Sequence, residues 1–188
     1  MSLQKMASQA ASPIVAASSR MDAAVEDIVK LEVVLTAICA AIPLILLAVE
    51  GWPPTEAISG FHDMKDPEFF YMPLTIAALL FIVDGVHKGK WYNMVLGLAL
   101  AGLTFFNTTD YPTTHLIFTS MFFIGNPIVF VVFSPKRELW FKWTLALGMA
   151  AAIVSWLFLG WIHIFWAESI SLWLIALHFV FEALGWIK

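Results

Sequence analysis

A chain of 188 residues that is 61% hydrophobic and only 13% charged is far from the composition of a water-soluble domain, in which charged residues are about 25% of the total. The net charge of -4, with basic residues scattered singly or in pairs, gives no footprint for nucleic acid. Cys39 is the sole cysteine, which excludes an internal disulfide.

The apolar residues come in long blocks, and these set the expected elements. Residues 1–30 read as a cytoplasmic tail, with Ser and Ala dominant up to Arg20 and Pro13 in the middle. Met21, Val25, Ile28 and Val29 share one helical face opposite Asp22, Glu26 and Asp27, so a short amphipathic helix is expected on the membrane surface. Residues 31–188 read as one transmembrane domain with spans at 31–49, 70–87, 91–107, 113–133, 142–162 and 170–187. Each is near the length of about 20 residues that crosses a hydrocarbon core of about 30 Å. The first block runs into Glu50-Gly51-Trp52-Pro53-Pro54 without a small-x-small site, so it reads as a span and not a cleaved signal. The loop at 50–69 carries Pro53, Pro54, Gly60 and Pro67 and reads as a partly ordered cap. His87-Lys88-Gly89-Lys90 reads as a tight helical hairpin.

Charge then assigns sides. Lys5, Arg20 and Lys30 precede the first span, Lys88 and Lys90 join spans two and three, Lys136, Arg137 and Lys142 join spans four and five, and Lys188 ends the chain. The alternate loops hold Lys65 against Glu50, Glu56, Asp63, Asp66, Glu68, Asp110 and Glu168. By the positive-inside rule both termini are cytoplasmic. The expected fold is all-α: a polytopic, integral membrane protein with six transmembrane helices in one bundle.

Ionisable groups within a bilayer are costly, so each is a candidate for function. The outer-face candidates are His62, Asp63, Asn107, Asp110, His115, His163 and Glu168. Asp110 and Pro112 suit the start of span four. Asp110, His115 and His163 together have the donor types of a zinc site or of a general acid/base set, although no H-E-x-x-H spacing is present. The intramembrane candidates are Asn126, His178 and Glu182. His178 and Glu182 share a helix face, and Gly125-Asn126-Pro127 interrupts the backbone ladder of span four. Asp84 and Lys88 read as a surface ion pair at the hairpin, and Lys136, Arg137 and Lys142 as topology determinants that touch anionic head groups. There is no P-loop, G-x-S-x-G or dinucleotide-binding glycine run, and no residue is identified as catalytic.

The run Phe105-Phe106-Asn107-Thr108-Thr109-Asp110-Tyr111-Pro112-Thr113-Thr114-His115, followed by Ser120-Met121-Phe122-Phe123, resembles the six-span membrane proteins of the DRAM/Sfk type and their bacterial relatives. That resemblance covers spans three and four and implies a role in lipid handling and membrane organisation. The last span has a more distant resemblance to the membrane hydrolases that include alkaline ceramidases and progestin/adiponectin-type receptors. Those place H-x-x-x-H there as part of a three-histidine zinc site; here the positions read His178 and Glu182, and the family's Ser-x-x-x-His is absent.

The sequence thus points first to a non-enzymatic membrane protein that handles lipid or binds a membrane partner, a second copy included. A metal-dependent lipid hydrolase using zinc at the outer face is one alternative. A small proton-coupled transporter using His178, Glu182 and the Asn126-Pro127 break is the other.

Overall fold

A computed structural model of the protein describes residues 30–49, 51, 57–63 and 66–187. The expected tail and its amphipathic helix lie, apart from Lys30, outside the described residues. Among the described residues every regular element is helical. They are α1 (Lys30–Val49), a 3₁₀ helix (Ile58–Asp63), α2 (Glu68–Lys88), α3 (Trp91–Phe105), α4 (Pro112–Val132), α5 (Leu139–Leu157) and α6 (Ile164–Ala183).

Local chemistry fixes the ends. Pro112 occupies the first turn of α4, where its missing N–H is not needed. Gly89 closes α2 with φ 64°, and its N–H bonds back to Gly85 and Val86; a left-handed residue there is what glycine supplies cheaply. Gly160, at φ 61°, follows α5, and His163 caps α6 by accepting the N–H of Phe165 on Nδ1 at 3.3 Å.

Consecutive helices from α2 to α6 pack against one another through short connections, and α4 also touches α6. Thr36 Oγ1 donates to Ala176 O at 3.4 Å and Trp173 Nε1 to Ala40 O at 3.1 Å, which seats α1 on α6. Phe81 lies at the centre, edge-on to Phe122 (5.7 Å) and Phe179 (5.3 Å). The outer surface is the reverse of a soluble protein's: Met72, Leu79, Leu98, Leu116 and Leu147 are all more than half exposed. Such an apolar outer face needs lipid around it.

Five helices are long and apolar enough to cross a membrane, namely α1, α2, α4, α5 and α6. With 15 residues, α3 is about 22 Å long at 1.5 Å per residue, shorter than a full crossing. The protein is therefore an all-α membrane protein. One end of the bundle carries the α2–α3 and α4–α5 connections with Lys88, Lys90, Lys136 and Arg137, and is called here the basic end. The opposite, acidic end carries the 3₁₀ helix, which touches α2, α3 and α6, and the α3–α4 and α5–α6 connections.

The last two helices lie a few residues earlier than the apolar blocks imply: α5 ends at Leu157 rather than 162 and α6 begins at Ile164 rather than 170. The reversal between them contains Phe158, Leu159 and Trp161, all exposed and apolar. Hydropathy cannot mark a turn whose own side chains suit lipid. Two consequences follow for the candidates. His163 is an exposed cap, not the end of a span. Glu168 sits in the second turn of α6, buried, rather than in a loop.

The hairpin of α2 and α3 is held close by small residues. A Cβ on Gly97 would lie 2.7 Å from the backbone oxygen of Ala78 and 3.0 Å from the nitrogen of Ile82. Gly97→Ala is expected to lower stability by about 1–3 kcal/mol, because backbone must move to admit it. Gly125→Ala meets only the flexible tip of Leu96 at 3.0 Å and should cost far less. Thermal unfolding of the two variants in detergent checks the contrast.

Candidate functional site

Two polar regions stand out, one at each end. At the basic end, Lys88 Nζ reaches three carboxylates on three helices: Glu32 of α1 in direct contact, Asp84 of α2 at 2.8 Å and Glu182 of α6 at 3.1 Å. Lys90 Nζ donates to the same Glu182 oxygen at 2.5 Å. Asn93 of α3 donates to the second oxygen of Asp84 at 2.7 Å. The carboxylates are all buried, Asp84 at 1% exposure. Three carboxylates against two lysines leave a formal -1 within the cluster. Buried charges survive only when paired in this way.

The expected surface pair of Asp84 and Lys88 is therefore real as a pair but is not at the surface. The hairpin folds its lysines inward, because Gly89 turns the chain within two residues and α1 and α6 bring carboxylates to meet them. Lys142 is corrected likewise: it is buried on α5 beside Glu138 at 3.4 Å. Lys136 and Arg137 are exposed.

Glu182 faces the interior, as expected, with His178 Nε2 at 3.6 Å. Its closest partners are the two hairpin lysines. Asn126 is buried and bonds into its own helix, donating to Phe122 O at 2.8 Å, while α4 runs unbroken through Pro127. Asn126 and His178, together with Lys90, Asn93 and Lys142, line a cavity of about 20 Å³. That is room for about one water. His178 Nδ1 has no hydrogen-bond partner among the described residues, which such a water would supply.

At the acidic end a chamber of about 510 Å³ opens between α4, α5 and α6 beneath the 3₁₀ helix. Its mouth is on the lipid-facing side, where the lining residues Leu116 and Leu157 are 65% and 56% exposed. Trp156, Phe123 and Ile153 make its apolar walls. The ring of Phe118 lies where a Cβ on Gly102 would be 2.4 Å away, so α4 packs closely on α3 there, while His115 and Thr119 line the chamber.

The chamber's polar atoms are few. His115 is buried, and its Nδ1 donates to Phe106 O at 2.6 Å, since a carbonyl can only accept. His115 Nε2 and Thr119 Oγ1 are buried without a partner. Glu168 accepts the backbone N–H of Ile58 at 2.6 Å and a second backbone hydrogen bond from Ser59. The hydroxyl of Ser171 donates to Ala167 O at 2.9 Å.

Of the outer-face candidates, His115 and Glu168 thus meet in one chamber. Asn107 and Asp110 do not line it; they bond each other in an exposed turn, with Asn107 Nδ2 to Asp110 Oδ2 at 2.8 Å and Asp110 N to Asn107 Oδ1 at 2.6 Å. The side chains of His62 and Asp63 lie outside the described ones. Among the described residues no three His, Cys, Asp or Glu are grouped to hold a metal ion, so the expected trio of Asp110, His115 and His163 is not assembled. Asp110 serves its own turn, and His163 is spent on capping α6. Sequence reasoning missed Glu32, because it lies at the start of an apolar block, and Thr119, because a threonine in a span is usually satisfied by its own helix. The spacing of His115 and Thr119, four apart on one helical face, was the available signal.

Fold and cavities define a small helical membrane protein with a lipid-facing chamber at one end and a buried ion cluster at the other. DUF7103, a family of unknown function, matches residues 41–183, and the chain belongs to that family. The match covers the chamber and all of the ion cluster except Glu32. No curated protein and no solved structure matches the chain.

Removing Lys88 leaves Glu32, Asp84 and Glu182 facing one another with only Lys90 near. Lys88→Met is expected to destabilise by about 3–5 kcal/mol, the usual cost of breaking a buried pair from one side. Lys136→Met, on the exposed loop, should change little. An equal shift in unfolding midpoint for the two variants would show that the cluster does not hold the helices.

Proposed function

We propose that the protein handles lipid: it takes one membrane lipid from the bilayer into the acidic-end chamber and catalyses no reaction on it. The single observation that carries this is an apolar chamber of about 510 Å³ with its mouth on the lipid-facing surface and buried, unpartnered polar atoms at His115 and Thr119 inside it. Buried polar atoms without partners are rare and costly, and a head group entering from the membrane supplies what they lack. The resemblance of the 105–123 segment to DRAM/Sfk-type proteins agrees with this reading, since that segment forms one wall.

In the membrane, α3 completes a set of six spans, with both termini and the basic end on the cytoplasmic side. The chamber then serves the outer leaflet. Among the described residues the hydrolase alternative finds no assembled ligand set. The transporter alternative has the water-sized cavity at His178 and Asn126 in its favour, but Glu182 is held by Lys88 and Lys90, which suits an anchor better than a carrier.

Topology is tested with single cysteines. Cys39 is fully buried and can be replaced by Ala; cysteines at exposed positions 110 and 136 should then react with an impermeant thiol reagent from opposite sides of the membrane, 110 from outside. Reaction of both from one side would overturn the arrangement.

Lipid capture is tested by gentle purification and native mass spectrometry. The wild-type chain should retain one lipid, and Leu116→Trp, at the mouth, should remove most of it while leaving the unfolding midpoint unchanged. Equal lipid retention in both would count against the chamber.

A further inference from the structure

The polar atoms of the chamber are arranged for one kind of head group, and the inference that follows rests on the lipid reading above. Because His115 Nδ1 donates to Phe106 O, the neutral ring presents Nε2 as a bare acceptor. Thr119 Oγ1, one turn on, can accept and donate, and neither atom has a partner among the described residues. Glu168 adds a carboxylate to the wall. No lysine or arginine lines the chamber among the described residues.

A phosphate head group would therefore meet a carboxylate and an imidazole lone pair with no cation to neutralise it, an arrangement that repels it. A head group that donates hydrogen bonds fits instead. Between an alcohol and an ammonium, the unpartnered atoms decide. Both of them, His115 Nε2 and Thr119 Oγ1, are neutral, while the carboxylate of Glu168 already holds the backbone N–H groups of Ile58 and Ser59, so an alcohol satisfies the two without burying a further charge. We infer that the chamber selects an uncharged, hydroxyl-bearing lipid, whose hydroxyl donates to His115 Nε2 and exchanges a hydrogen bond with Thr119 while its chain lies along Trp156 and Phe123. The volume agrees: at about 30 Å³ per water-sized group, the chamber takes roughly seventeen, one acyl chain with a small head, and a second chain would have to run out of the mouth.

Trp156 in the wall gives a direct readout. The full chain is reconstituted at pH 8 in phosphatidylcholine vesicles doped with a bromine-labelled monoacylglycerol, a bromine-labelled phosphatidate or a bromine-labelled long-chain amine. Quenching at each dose is compared with that of Trp156→Phe, and the difference isolates Trp156 from the other tryptophans. The expected result is that the monoacylglycerol quenches Trp156 at about one-tenth the dose of either other lipid, the scale of one well-made hydrogen bond to a buried group. Thr119→Val, which deletes one hydroxyl at nearly constant shape, should erase several-fold of that preference. His115→Phe should erase it almost wholly, and circular dichroism checks that each variant is folded. Quenching by phosphatidate or amine at equal or lower dose overturns the head-group assignment and leaves lipid capture standing. An unchanged preference in Thr119→Val likewise overturns the assigned contact. Quenching of Trp156 by none of the three overturns lipid capture itself.

Discussion

The bundle depends on Lys88. A single ammonium, delivered to the interior by a two-residue turn, contacts carboxylates from α1, α2 and α6, and Lys90 and Asn93 bring α3 into the same network. In a bilayer the apolar faces of helices gain little by meeting each other, because lipid is as apolar as they are. Specific polar contacts and close packing of small residues must then choose which helices meet. Here both act on one hairpin: Gly85 and Gly97 let α2 and α3 approach, and the ion cluster fixes what that hairpin meets. The centre of the bundle, Phe81 against Phe122 and Phe179, fills the space the charges have defined.

The two ends have been given opposite treatment. At the basic end the lysines and carboxylates are crowded together in ion pairs, and the space left, beside the unpartnered Nδ1 of His178, is about one water in size. At the acidic end α4, α5 and α6 leave about 510 Å³ open toward lipid, with two buried polar atoms unsatisfied. Of the three helices that wall the chamber, α6 is the one the ion cluster holds directly, through Glu182. Other buried serines and threonines, Ser171 of the chamber wall included, do not share this openness: Thr104, Ser169 and Ser171 each bond the carbonyl one turn back. The unsatisfied His115 and Thr119 therefore differ from the other polar residues around them.

His115 was legible as a candidate, since an ionisable side chain one turn into an apolar helix is costly and needs a reason to be there. Glu182 was legible for the same reason, and its interior position followed from the cost of a bare carboxylate in lipid. Their partners were not legible. Glu182 lies 92 residues from Lys90, and Lys88 lies 56 from Glu32. No spacing rule reaches that far. His163 and Asp110 looked equivalent to His115 in sequence, and became local caps and turns because short-range backbone hydrogen bonds claimed them first.

What the sequence determined by itself was the all-helical membrane architecture, the approximate place of each helix and the segregation of charge to two ends. These follow from blocks of apolar residues and from loop charge, which are properties of the chain taken segment by segment. What only the tertiary structure decided was the turn at Gly160 within an apolar run, the burial of Lys88, Asp84 and Lys142, the meeting of His115 with Glu168, and the chamber itself. Each depends on which helices are neighbours, and that is set by contacts between residues far apart in the chain.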